Sequence, residues 1–437
     1  IRVTSLYGNL VSQIVEQCPE LIEYKNTTFG ADKAELENLL KHIDEDFYLV
    51  VDGLDHVSRE YELHKDLISR SETEIISELL EIHFPDNCYV LIASQPIDEL
   101  RDFKDDRYCV FEIEPWGAEQ AKSLMETFQI ADNIIEDDDV ASISEYLLKK
   151  SQGNALYLSY ILRQLRNIDV NKGIIDEIPD YDISLSKYYS YLYTKVHNNR
   201  TVNALCGADF YLSIDNLLEI TGDGEFVEQD ISVLHPLLIE NMLSGGFSIY
   251  HESFRRFVLS LLRDKKVDLA RNVYGLLADW LQNKPFFEFD KAYYYLPELL
   301  YKIRKDDDNI ALIEKEFVLK SVEEGYSRKH IRMNLNCMIR SAGRTKNLVA
   351  LVTASELLAM LDDLNEFEST GVEYFQAICD TKGASKLNQL MQIDGKPTFD
   401  KNIGKLACYI SSKAGTTPWW ELYLDTEAKQ FEIEDFK

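Results

Sequence analysis

Two short apolar runs, FYLVV at 47–51 and CYVLIA at 88–93, lie between amphipathic stretches, and this alternation constrains the fold more than any other feature. ADKAELENLLKHI (31–43) places Ala34, Leu36, Leu39, Leu40 and Ile43 on one helical face, and ETEIISELLEIH (72–83) reads as a second helix. CVFEI (109–113) reads as a third strand. Strands alternating with helices imply an α/β core, a parallel sheet with crossover helices. Strands that are apolar throughout belong in a sheet covered on both faces. Ligands of such sheets bind in the crevice beyond the carboxyl ends of the strands. The first strand runs straight into Asp52, with Asp55 three residues on.

Past Pro115 the strand pattern stops. Residues 118–169 carry helical periodicity, with a turn at SQGNALYL (151–158) and a helix through YILRQL. Helical stretches near 185–197, 213–219 and 228–240 lead into two extended segments flanking Ser244-Gly245-Gly246, followed by another helix. Helices capped by a Gly-Gly hairpin describe a winged helix. From 266 onward the pattern is an irregular array of helical hairpins without a strict repeat. The expected organisation is therefore a partial α/β core at 1–117, a helical lid at 118–180, a winged helix at 181–265 and a helical repeat-like region at 266–437.

The net charge of −30, from 46 basic and 76 acidic residues, argues against general binding to a nucleic-acid backbone. Seven scattered cysteines with no C-x-x-C pair indicate neither a disulfide framework nor a zinc module, and a reducing cytosol is the expected compartment. No apolar run approaches the ~18 residues that a membrane span needs. The sequence opens on Ile1 with Leu6, Leu10, Ile14, Val15 and Cys18 already on a helical face, and it reads as a piece of something longer. Neither metal-ligand spacing among the histidines and cysteines nor a G-x-S-x-G elbow is present.

A carboxylate at the exit of a parallel strand is held rigidly and faces the crevice, which suits a residue holding hydrated Mg²⁺ against phosphate oxygens. Asp52 has that position, and Asp55 is placed to orient a water aimed at a terminal phosphate. On the residues alone, an Asp-Gly turn at 52–53 accounts for the same stretch equally well.

FYLVVDGLDHV resembles the Walker B segment of the STAND NTPases, the signal-transduction ATPases that include the NACHT and NB-ARC proteins. YVLIASQP is similar to their sensor-1 strand, EIEPWGAEQAKSLM to their step into the helical lid, and SQGNALYLSYIL to the Gly-x-Pro-Leu segment beside adenine. FSIYHESFRRFV resembles the winged-helix stretch whose histidine touches the β-phosphate of ADP. These matches follow one another in order over about residues 40–260. The resemblance implies ATP/ADP and Mg²⁺ as ligands, with Asp52 for the metal and Asp55 for the water. It further implies Gln95 at the sensor position, Asn154, Ala155 and Leu156 beside the base, and His251 on the diphosphate. His251 is physically apt, since an imidazole of near-neutral pKa can bond phosphate and then let go.

Departures from the pattern are specific. His56 stands where the family has Glu, Gln95 where it has Arg, and Ala155 where it has Pro. No phosphate loop occurs: the only Gly-Lys pairs, Gly395-Lys396 and Gly404-Lys405, are followed by Pro397 and Leu406. The loop is expected upstream of Ile1, and this chain alone is not expected to hydrolyse ATP. The resemblance implies a regulatory ATPase switch, possessing a ligand-sensing helical region, self-oligomerisation on activation and an effector outside the chain, with anti-phage defence as the biology by analogy. A non-hydrolysing helical scaffold and a winged-helix nucleic-acid regulator are the other readings. The acid-free stretch 327–347, with Arg328, Lys329, Arg332, Arg340, Arg344 and Lys346, is expected to neutralise acidic neighbours within the array, or else to dock an acidic partner.

Overall fold

The computed structural model describes residues 3–24, 32–55, 75–94, 109–135, 139–222, 224, 226–241, 245–363, 371–399 and 401–424. The chain divides into two compact units, Ile1–Glu114 and Pro115–Lys437.

In the first unit the expected alternation appears as α1 (Val3–Gln17), α2 (Lys33–Leu40), β1 (Phe47–Asp52), α3 (Ile75–Glu81) and β2 (Cys88–Ala93). Asp32 starts α2 by accepting the backbone N–H of Glu35 at 2.9 Å, satisfying one of the orphan donors of the first turn. β1 and β2 pair in parallel, from Phe47 opposite Cys88 to Asp52 opposite Ala93. Leu10 and Val11 of α1, Leu36 and Leu39 of α2 and Ile75 and Leu79 of α3 form the core, and Phe47, Leu49 and Val51 pack against it. Each such leucine taken out of water stabilises the unit by roughly 2 kcal/mol.

Two expectations are corrected here. The sheet is not covered on both faces by the described residues: β1 alternates, leaving Tyr48 at 74% and Val50 at 62% exposure. The physical reason is that the described helices gather on the face of Phe47, Leu49 and Val51. Residues 109–113 form no strand; Val110, Phe111 and Ile113 are exposed, Ile113 at 97%, and no described strand pairs with them. An apolar run alone does not make a strand without a neighbour to accept its hydrogen bonds.

The second unit begins with α4 (Ala118–Thr127), α5 (Val140–Ser151), α6 (Ala155–Leu165), α7 (Lys172–Asp176), α8 (Ser186–Tyr193) and α9 (Asn199–Gly207). There follow β3 (Leu212–Ser213), α10 (Ile214–Thr221), α11 (Val227–Leu234), β4 (Leu238–Asn241), β5 (Gly246–Ile249) and α12 (Glu252–Asp264). The strands form an antiparallel sheet in the order β3-β5-β4, with Asn241 opposite Gly246 across the expected Gly-Gly hairpin. Ser213 and Asn216 close a reciprocal capping box that starts α10 directly from β3.

Helices continue through α13 (Gly275–Gln282), α14 (Asp290–Lys302), α15 (Asp306–Ala311), α16 (Phe317–Glu323), α17 (Arg328–Thr345) and α18 (Leu348–Asp363). The chain then forms α19 (Gly371–Lys382), α20 (Ala384–Leu390), the hairpin β6 (Gln392–Ile393) and β7 (Lys396–Pro397), and α21 (Lys401–Lys413). This is the helical array that the sequence announces. The aromatic run at 293–295 belongs to its packing: Tyr293 is buried and stacks on Tyr326 at 3.5 Å between ring centroids. In the basic stretch, Arg344 bonds Asp306 at 2.6 Å and lies over the Tyr301 ring, so at this position the charge is neutralised within the array. No helix among the described residues is long and apolar enough to cross a membrane.

Candidate functional site

Asp52 is the last residue of β1 and is exposed on the same face as Tyr48 and Val50. The chain is then pinned to the neighbouring strand, because the N–H of Gly53 donates to the carbonyl of Ala93 at 2.8 Å. Gly53 takes a positive φ of 74°, which its missing Cβ permits. The turn swings Asp55 inward to 3% exposure. There its backbone N–H donates to Ser94 Oγ at 3.1 Å, and Ser94 Oγ lies 3.5 Å from Asp55 Oδ1. Ser94 follows β2 directly, so the exits of two parallel strands are tied together at an acid and a hydroxyl. The two carboxylates thus sit in different surroundings, one open and one packed. Gln95 and His56 lie outside the described residues.

In the second unit, Asn154 is the N-cap of α6: its Oδ1 accepts the N–H of Tyr157 at 2.8 Å, and its Nδ2 donates to the hydroxyl of Tyr181 at 3.1 Å. Both ends of the amide therefore serve the fold. Ala155 and Leu156 are half-buried in the first turn, Leu156 against the apolar core. Gly153, at φ +73°, lets the chain pass Trp116, whose N–H donates to its carbonyl at 2.8 Å. A Cβ there would lie 2.7 Å from the carbonyl oxygen of Trp116.

His251 is the N-cap of α12 and is half-buried. Its Nδ1 accepts the backbone N–H of Ser253 at 3.2 Å and lies 2.6 Å from Ser253 Oγ, which in turn is 2.5 Å from the hydroxyl of Tyr189. An Nδ1 that accepts places the proton of the neutral ring on Nε2. The cap thus sets the tautomer, leaving the ring proton on Nε2. Nearby, Arg163 donates to the carbonyl of Leu238 at 2.8 Å and lies 4.0 Å over the ring of Tyr250. Burial, with the charge of Arg163 adding to it, lowers the pKa of His235.

Sequence reasoning singled out Asp52, Asp55, Asn154 and His251 but missed Ser94, Ser253, Tyr189 and Tyr181, which position them. Ser253, two residues from His251 at the start of a helix, was within reach of a capping argument; the other partners are joined only by the fold. Among the described residues no group of three or more His, Cys, Asp or Glu could hold a metal. Asp52 still fits a hydrated Mg²⁺, which takes one or two protein carboxylates and leaves its other positions to water and phosphate.

No protein-family model matches the sequence, and no curated protein does. Among solved structures, the chain is similar to a signal-transduction ATPase with numerous domains (STAND) that has a tetratricopeptide-repeat sensor, from Pyrococcus horikoshii. The match has 11% identity and a TM-score of 0.34, covering 88% of this chain and 64% of the other. The chain thus spans less than two thirds of that neighbour's length, and a superposition this loose assigns neither fold nor function.

Proposed function

We propose that the chain is the switch portion of a nucleotide-regulated signalling ATPase of the STAND type. The observation that carries this reading is the joined exit of two parallel strands, where Asp52 stands open and Asp55 is held by Ser94. Backbone bonding fixes both positions in advance, which suits a site that works by placement more than by proton affinity. Asp52 would hold the hydrated Mg²⁺ of a bound nucleotide, whose charge stabilises the phosphates. Asp55 would orient water, and its burial and Ser94 contact keep that carboxylate in one rotamer.

His251 would donate from Nε2 to a phosphate oxygen of ADP and favour the resting state. In this reading residues 181–265 form a winged helix, residues 266–437 recognise a protein trigger, and exchange to ATP permits self-oligomerisation that engages an effector outside the chain. Gln95, Asn154, Ala155 and Leu156 would complete the nucleotide contacts. Defence against phage is the biological setting by analogy.

A nucleic-acid reading gains nothing from Arg255 of α12, which is already bonded to Asp209 at 2.5 Å and to the carbonyl of Ala208. The test is nucleotide turnover by the natural full-length protein. Asp52→Ala is expected to lower Mg²⁺-dependent turnover by about a hundredfold or more, as removal of a preorganised electrostatic contact does, with circular dichroism unchanged. Turnover equal to wild type would overturn the assignment.

A further inference from the structure

Residues 371–424 fold around a core of their own, built from Phe375 of α19, Leu387 and Leu390 of α20, Cys408 and Ile410 of α21, and Tyr423. This core is distinct from that of the preceding array, which gathers Tyr293, Phe317, Leu335 and Met338. Several specific polar contacts tie the block to the array. Lys382 meets Glu324 at 2.6 Å, and Lys386 lies 3.7 Å from Asp290 and 4.0 Å from Glu324. Tyr374 donates to the carbonyl of Val322 at 3.2 Å. Apolar contact includes Leu390 and Ile378 closing over Gly325, and Tyr374 and Tyr423 lie near Tyr294.

The most distant contact comes from the hairpin. Asp394 and Gly395 both have positive φ, 51° and 77°, forming a two-residue turn that projects the Asp394 carboxylate. Its Oδ2 accepts the hydroxyl of Tyr295 at 2.9 Å, and the backbone N–H of Tyr211 bonds the same carboxylate. Lys291, which holds the carbonyl of Tyr211 at 2.7 Å and Asn216 Oδ1 at 2.9 Å, adds its charge nearby. One side chain thus joins the terminal block, α14 and the segment leading into β3.

We infer that residues 371–424 are a separable module clasped to the three-stranded-sheet region by the Asp394 tip and by Lys382 and Lys386. Boundaries between bodies with separate cores resemble transient interfaces, for which relative motion is the default expectation. Opening the clasp uncovers the backbone at Tyr211 and the ammonium of Lys291. The inference concerns this part of the array alone and stands whether or not nucleotide binds.

Hydrogen exchange read by mass spectrometry on the full chain tests it. Asp394→Ala is expected to speed exchange in residues 209–216 by about tenfold, while residues 401–413 and 331–342 keep their protection. For the wild type, raising salt from 0.05 to about 0.5 M is expected to act in the same direction, because partly exposed ion pairs are screened. The charge exchange Lys382→Glu with Glu324→Lys is expected to restore what Lys382→Glu alone loosens. Unchanged exchange at 209–216 in both the variant and high salt would overturn the clasp. Loss of protection at 401–413 together with 209–216 would overturn it too, since the block would then be unfolding rather than separating.

Discussion

Single side chains here take their character from burial more than from sequence neighbours. His330 packs edge-on to Tyr294 at 4.6 Å, and its Nδ1 lies 2.7 Å from Ser327 Oγ. Burial, with the Lys329 charge adding to it, pushes its imidazole down to about 4. Below the unfolded value of about 6.5 the unfolded chain takes up a proton that the folded chain refuses. Stability therefore falls as pH drops from about 6.5 toward 4, by about 2 kcal/mol at pH 5 from this group. Urea unfolding at pH 7 and pH 5 checks it: wild type is expected to lose about 2 kcal/mol more than His330→Gln, and equal losses would contradict the assignment. The candidate site divides along the same line. His251 was singled out by the likeness of FSIYHESFRRFV to a family motif, while the strand exit at Asp52 was legible because an apolar run ends there. The inward turn of Asp55 was not, since its partner Ser94 stands 39 residues away. Nor was the double engagement of Asn154, whose amide meets Tyr181 across 27 residues.

Elements were legible where one face was buried and illegible where burial was total or missing. α9 went unread because Thr201 through Gly207 are all buried, polar Thr201 and Asn203 among them, so residue polarity does not mark the buried positions. Residues 109–113 misled in the opposite sense, offering β-forming side chains with no described strand beside them. α21 supplies a sharper test of packing. Alanine inside a helix ordinarily improves on glycine by up to about 1 kcal/mol, yet a Cβ at Gly404 would lie 2.0 Å from the Tyr423 ring. Tyr423 is buried and its hydroxyl donates to the carbonyl of Met391, so the ring has little freedom to withdraw. Gly404→Ala is expected to destabilise the protein by about 1–3 kcal/mol, as overpacking does. Chemical denaturation followed by tryptophan fluorescence measures this, and a stabilised variant would show that the ring gives way.

For the whole molecule, the two compact units carry separate apolar cores, one spanning α1 to β2 and the others lying beyond Pro115. Scanning calorimetry is expected to resolve two transitions. Leu39→Ala, at a fully buried position of the first core, is expected to lower only the smaller one, at a cost of about 2–5 kcal/mol. A single transition shifted as a whole would contradict that division. The central claim is that His251 reports the bound nucleotide, and it can be separated from the structural task of this residue because asparagine is also a strong N-cap. The decisive measurement is calorimetric titration of ADP and ATP, with Mg²⁺, into the natural full-length protein and its His251→Asn variant. The account predicts unchanged thermal stability, about tenfold weaker ADP binding, worth 1.4 kcal/mol, and loss of the preference for ADP over ATP. Identical ADP and ATP affinities in the two proteins would contradict it.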